Sequence, residues 1–218
     1  MGATNQERMK RSVTKLTDQE ISANLRAWYL HAEKHPTEDI LKQGKEWYKD
    51  AQAFTKKIAK QYGIDSYSAA GVVSALSPNN RWERNKVDAE AVINAWALGL
   101  SPDDIKVCTY GANKRKAFAI LNGEVEITAK SPKTHAFAMN VGLNSPDHIT
   151  IDKWHLRACV TRPSDGVTDC VESCTAVHYR RLEAITAQCL NGLTPKRVMK
   201  GYQLQAIIWV TIKKVWNR

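Results

Sequence analysis

A chain of 218 residues, 43% hydrophobic and 25% charged, is ordinary for a soluble globular protein and long enough to bury a core within one domain. Its 32 Lys+Arg against 22 Asp+Glu leave a net charge of +10, a surplus that suits a polyanionic partner, of which nucleic acid is the commonest. No long apolar span or amphipathic anchor stands out, and the polar, basic stretch 1–15 lacks the apolar core of a signal peptide, so the sequence reads as a cytoplasmic protein with no membrane partner.

Residues 1–16 read as a basic N-terminal arm, and 17–218 as a single all-α domain. Thr17-Asp-Gln-Glu20 is a capping box, after which Ile21, Leu25, Trp28, Tyr29 and Ala32 recur at helical spacing. His35-Pro36 ends that helix and Thr37-Glu-Asp opens the next, whose buried stripe is Ile40, Leu41, Trp47, Tyr48, Ala51, Phe54 and Ile58, with Gly63 as its stop. Asp65 starts a third, small and apolar almost all round, as in a central buried helix. It gives way at Ser77 to a polar loop, Pro78-Asn79-Asn80-Arg81-Trp82-Glu83-Arg84-Asn85, that presents hydrogen-bonding side chains from a rigid base.

Lys86–Leu98 is a further amphipathic helix ending at Gly99. Ser101-Pro-Asp-Asp104 reads as a helix start, and the basic run 111–116 leads into Ala117–Leu121. Thr161–Asp169 is turn-rich, Val171–Leu190 is helical, and Thr194-Pro195 caps a last helix with Tyr202, Leu204, Ile207, Ile208, Val210, Ile212 and Val215 in the core. No segment alternates as a strand for long enough to demand a sheet, so nine or ten helices are expected. Cys108, Cys159, Cys170, Cys174 and Cys189 are irregularly spaced and read as reduced, structural thiols; no zinc and no cofactor are expected.

The most informative stretch is 127–155. Ser131 is a good N-cap and Pro132 fits the first helical position, so Lys133 falls in the first turn, at the positive end of the helix dipole, with Lys130 three residues behind. Both neighbours disfavour an ammonium ion and favour a free, nucleophilic amine. After a connection containing Ser145-Pro146, an apolar Ile149-Thr-Ile151 delivers Asp152 to the next helix start. A helix over Pro132–Leu143 is about 18 Å long and the following connection spans about 26 Å when extended, which allows Asp152 to return towards Lys133. A solvated first-turn lysine and a plain N-cap fit the same residues one at a time.

In these motifs the chain resembles the helix-hairpin-helix DNA glycosylases, most closely the 8-oxoguanine glycosylase-like and endonuclease III-like branches and their phage-type members. The family hairpin L-x-G-x-G-x-K ends in the nucleophilic lysine, and its catalytic aspartate follows about nineteen residues later. Here the hairpin is Ile127-Thr-Ala129-Lys-Ser131-Pro-Lys133 and the aspartate segment is Ile149-Thr-Ile151-Asp152. Ala129 and Ser131 replace both hairpin glycines, and Trp154 stands where the family often has histidine, with His155 one residue on.

The likeness covers about 65–160. It implies a two-lobed all-α glycosylase fold and a monomer acting on double-stranded DNA in the cytoplasm, at the nucleoid or in a phage-infected host. It also implies Lys133 and Asp152 as catalytic residues. Asn79 would fill the gap left by an extruded nucleotide and Arg84 would meet the orphaned partner base, with Asn80, Arg81, Lys130, Ser131, Thr134, His135, Lys153 and His155 as further DNA contacts. The four-cysteine iron–sulfur pattern of endonuclease III-like relatives is not matched. Excision of a damaged or modified base with strand cleavage is the expected activity; a base-modifying enzyme on the same scaffold and a non-catalytic DNA-binding module are the other readings.

Overall fold

The capping box at Thr17 and Glu20 forms in both directions: Glu20 N donates to Thr17 Oγ1 at 3.2 Å and Thr17 N to Glu20 Oε2 at 2.7 Å. It opens α1 (Asp18–Lys34), which buries Ile21, Leu25, Trp28, Tyr29 and Ala32 as their spacing predicts. A computed structural model describes residues 11–35, 39–166, 168–191, 193 and 199–216; the breaks expected at Pro36–Glu38 and Thr194-Pro195 lie outside these. Beyond α1 come α2 (Ile40–Tyr62), α3 (Ser66–Ala75), α4 (Trp82–Ala97), α5 (Gly111–Leu121), α6 (Pro132–Gly142), α7 (Lys153–Val160), α8 (Ala176–Asn191) and α9 (Gly201–Trp216). Among the described residues there is no β-strand, only an isolated bridge between Arg11 and Cys170, and no helix is long and apolar enough to cross a membrane. The protein is all-helical.

The chain divides into two compact units. The first combines both ends of the chain, up to Trp47 and from Ile151 onwards; the second is the continuous stretch Tyr48–Thr150. In the first unit α1 packs against α7, α8 and α9, and the apolar faces of α7 and α8 also meet α9. Buried polar groups in this core are satisfied by the backbone: Trp28 Nε1 donates to Thr161 O at 2.8 Å and Asn24 Nδ2 to Cys159 O at 2.9 Å. Residues 11–16, read as part of the basic N-terminal arm, are held in this unit. Arg11 exchanges backbone bonds with Asp169 and Val171, Val13 is buried, and Arg181 reaches Leu16 O at 2.7 Å.

One contact in this unit requires glycine. A Cβ on Gly44 of α2 would lie 2.5 Å from Ile207 Cα and 2.7 Å from its backbone N in α9. Alanine is the better helix former by about 1 kcal/mol, yet backbone atoms cannot step aside as a flexible side chain can. Gly44→Ala is therefore expected to destabilise by about 1–3 kcal/mol, read as a lowered thermal midpoint. An unchanged or raised midpoint would show that α2 and α9 are not in close contact.

In the second unit α3 is the central element, as its nearly uniform apolar character predicts. Asp65 caps it, accepting from the backbone N of Tyr67 at 2.8 Å and of Ser68 at 2.9 Å, and Ala69–Ala75 are all buried. α4, α5 and α6 surround it. α6 runs antiparallel to α3: Thr134 near its start accepts a 2.6 Å bond from Ser74, while a Cβ on Gly142 at its end would lie 2.6 Å from Ala70 Cβ and 3.1 Å from Ser66 O.

Three boundaries differ from the sequence reading, each because a tertiary contact outweighs the local signal. α4 begins at Trp82, so Arg84 and Asn85 are helical; Trp82 packs edge-on against Phe54 and Phe137, and Glu83–Lys86 and Arg84–Asp88 pairs support the first turns. Ser101–Asp104 forms its capping box but yields only a 3-10 turn, because the chain beyond is drawn away when Cys108 N donates to Asp88 at 3.0 Å. Residues 171–175 are not helical, since Val171 N is used in the bridge to Arg11, and α8 starts after Thr175, whose Oγ1 accepts from His178 N.

Candidate functional site

The C-terminal end of α3 gathers most of the residues singled out by sequence. After Leu76 the chain turns through Ser77–Asn80 and enters α4 at its N-cap, Arg81. The segment before α5 reaches the same loop, with Thr109 Oγ1 donating to Pro78 O at 3.1 Å and Asn79 Nδ2 to Tyr110 Oη at 2.7 Å. The start of α6 is tied to α3 one turn earlier through Ser74 and Thr134. The N-terminal ends of α4, α5 and α6 thus lie around one end of α3 in a single unit. Each contributes the positive end of its dipole, a setting that attracts anions.

Within this cluster the side chains differ in freedom. Lys133 is exposed in the first turn of α6, behind the N-cap Ser131, whose side chain makes no capping bond; Lys130 and Ser131 are exposed in the preceding turn, closed by Ser131 N to Thr128 O at 3.0 Å. Asn79 is exposed at the loop tip with φ +56°, a left-handed conformation asparagine tolerates better than most residues. Arg81 is exposed. His135 is half-buried with its ring 5.0 Å from that of His148, and burial first, then His148, holds it below the usual imidazole value. Lys114, in the basic run 111–116, donates to Ile105 O at 2.7 Å.

Asn80, half-buried, and Arg84, still exposed, are tied to one carboxylate. Both bind Asp88, which is 1% exposed: Asn80 Nδ2 at 2.9 Å and Arg84 Nε at 2.9 Å, while Cys108 N adds a third bond at 3.0 Å. One buried carboxylate therefore fixes the Asn79 loop, the first turn of α4 and the approach to Tyr110. Asp88→Ala is expected to cost about 1–3 kcal/mol and to loosen the loop, measured as faster amide exchange at 77–81. Exchange and stability equal to wild type would remove Asp88 from this role. Sequence reading missed Asp88 and Tyr110. The i, i+4 spacing from Arg84 signalled the first; Tyr110 has no local pattern, and only its 62% exposure beside Asn79 marks it.

The remaining expected residues lie in the other unit. Asp152 is the N-cap of α7 and accepts from His155 N at 2.9 Å; Lys153 is exposed, its Nζ 5.9 Å from the centre of the Trp154 ring. His155 is fully buried, with Nε2 2.9 Å from Thr186 Oγ1, and burial pushes it down to about 3. It is a core histidine and has no surface to offer DNA, which corrects the expectation of a contact there. All five cysteines are free thiols, and burial raises those of Cys159, Cys170 and Cys174. Among the described residues no group of three or more His, Cys, Asp or Glu is arranged to hold a metal ion.

Compared with known proteins, residues 7–215 match a family of unknown function, DUF7178. No curated protein and no solved structure matches the chain.

Proposed function

The chain belongs to that family of unknown function, and from its own residues we propose that it is a DNA glycosylase of the helix-hairpin-helix type with associated lyase activity. The observation that carries this reading is the exposed Lys133 in the first turn of α6, at an end of α3 where three helix N-termini and the Asn79 tip gather. Such a place attracts phosphate and sets an amine beside it. The target base is hidden in a duplex and must be extruded. Lys133 Nζ attacks the sugar C1′ through its lone pair; the N–C1′ bond forms as the glycosidic bond breaks, and the base leaves with a proton from that nitrogen. The sugar ring opens to a Schiff base, from which β-elimination breaks the C3′–O bond to the phosphate. Asp152 is assigned the role of accepting a proton or offsetting positive charge on the sugar; that role rests on the resemblance alone.

The deciding experiment is borohydride trapping with a panel of duplexes carrying different damaged or modified bases. A covalent adduct on one duplex supports the chemistry and names the base. No adduct across the panel favours a binding module without chemistry, the reading supported by Ala129 and Ser131 in place of the hairpin glycines. Either way the cationic surplus predicts duplex binding that weakens steeply with salt. Affinity unchanged between about 50 and 200 mM salt would remove the phosphate-binding surface.

A further inference from the structure

The first unit carries a second concentration of groups, on a different set of helices. On α9, Trp209, Lys213 and Trp216 stand at i, i+4 and i+7, so they share one stripe of the helix, and all three are half-buried. Rings from α2 and α7 extend it: Trp47 lies 5.7 Å from Trp209 and Trp154 lies 6.3 Å from Trp216, between ring centres. Cations sit over these rings. Lys213 Nζ is 4.3 Å from the Trp209 centre, and the Arg157 guanidinium is 4.6 Å from that of Trp154 and 5.3 Å from that of Trp216.

Beside the stripe is a cavity of about 570 Å³, lined by Arg157, Trp216, Asp169, Cys170 and Glu172 among others. Two lining residues carry buried N–H donors with no partner, Arg157 Nε and Trp216 Nε1. A buried donor left unbonded is unfavourable and marks a position suited to an acceptor. Two other lining residues are carboxylates, exposed Asp169 and Glu172, the latter bridged to Arg157. The lining therefore offers donors, acceptors and an aromatic face within a volume usual for small-ligand sites.

We propose that this face binds single-stranded nucleic acid. The tryptophans stack unpaired bases. One base occupies the cavity beside Trp216, its acceptors on Arg157 Nε and Trp216 Nε1 and its amino hydrogens towards Asp169 or Glu172. Lys213 and the exposed Lys153 meet phosphates. A nucleobase is planar and carries donors and acceptors on one edge, which matches the lining. A duplex keeps those faces and edges within its stack. An anionic lipid surface fits less well, because two carboxylates stand among the lining residues. The net charge of +10 suits a strand of phosphates. The inference is separable from the glycosylase reading: it concerns an unpaired strand, and of its residues only Lys153 is also among the duplex contacts which that reading implies.

The test uses the full chain, a fluorescein-labelled single strand of mixed sequence about 15 nucleotides long, and the same strand annealed to its complement, read by anisotropy. Trp216→Leu is expected to weaken single-strand binding roughly tenfold and duplex binding less than about twofold. The variant Lys213→Gln, which leaves the core intact, is expected to weaken it about threefold and to lower the slope of log K against log salt by about 0.7. Should Trp216→Leu fail to give a native circular dichroism spectrum, the lysine variant decides. The proposal is overturned by single-strand affinity that the substitutions leave unchanged, by equal losses on strand and duplex, or by effects confined to vesicles of anionic lipid. Borohydride trapping on duplex, run on the same preparations, separates its failure from that of the glycosylase reading.

Discussion

Lys133→Gln is expected to abolish both borohydride trapping and strand cleavage, because a neutral amide cannot form the Schiff base on which both depend. Duplex binding should change little, since one cation among many is removed from an exposed position. Lys130 is the control: it is the nearest other amine in the hairpin turn, and Lys130→Gln should still trap. Trapping that survives in Lys133→Gln and vanishes in Lys130→Gln would move the nucleophile. Asp152→Asn tests the assisting role separately. Asparagine caps helices as well as aspartate, so folding and DNA binding should persist while chemistry slows by about 100-fold or more. Asp152→Asn with wild-type rates would leave Asp152 a cap and nothing else.

Acidification below neutral pH is expected to remove several kcal/mol of stability through His155. The imidazole is fully buried, and burial lowers it from 6.5 to about 3. Between those values the unfolded chain takes up a proton that the native chain refuses, so stability falls as pH falls. At about 1.4 kcal/mol per pH unit the loss is on the order of 4 kcal/mol by pH 3. His135, also held low, adds a smaller contribution of the same sign. His155→Gln keeps a donor for Thr186 without a titrating ring. Urea midpoints at pH 7 and pH 4 should therefore diverge for the wild type and stay closer in the variant. Parallel changes in the two proteins would mean that His155 does not titrate in this way.

How far the sequence could be read depended on how local each signal was. The α1 capping box and the apolar run of α3 are settled by neighbouring residues and formed as read, and α6 starts at Pro132 as read, though Ser131 makes no capping bond. The signals that failed were local ones overruled from afar: a capping box at Ser101–Asp104 whose continuation goes to Asp88, and an apparent helix over 171–175 taken into pairing with Arg11. Among site residues, the exposure of Lys133 and the capping role of Asp152 follow from their positions at helix starts. The burial of His155 does not. One turn into α7 it is a plausible surface residue by sequence, and only Thr186, 31 positions away on α8, shows it to be core. Tyr110, in no local pattern, stands exposed.

The split of the first unit between the two ends of the chain bears on how the protein is made. Its core joins Trp28 to Thr161 across 133 positions and Asn24 to Cys159 across 135. A chain emerging from the ribosome presents α1 long before its partners exist, whereas the second unit has all its helices within one continuous stretch. The second unit is therefore the one able to fold first during translation, while the apolar face of α1 waits. That wait is the interval in which a nascent chain is most exposed to aggregation and most dependent on chaperones, and a slower step in the synthesis of 151–216 would lengthen it.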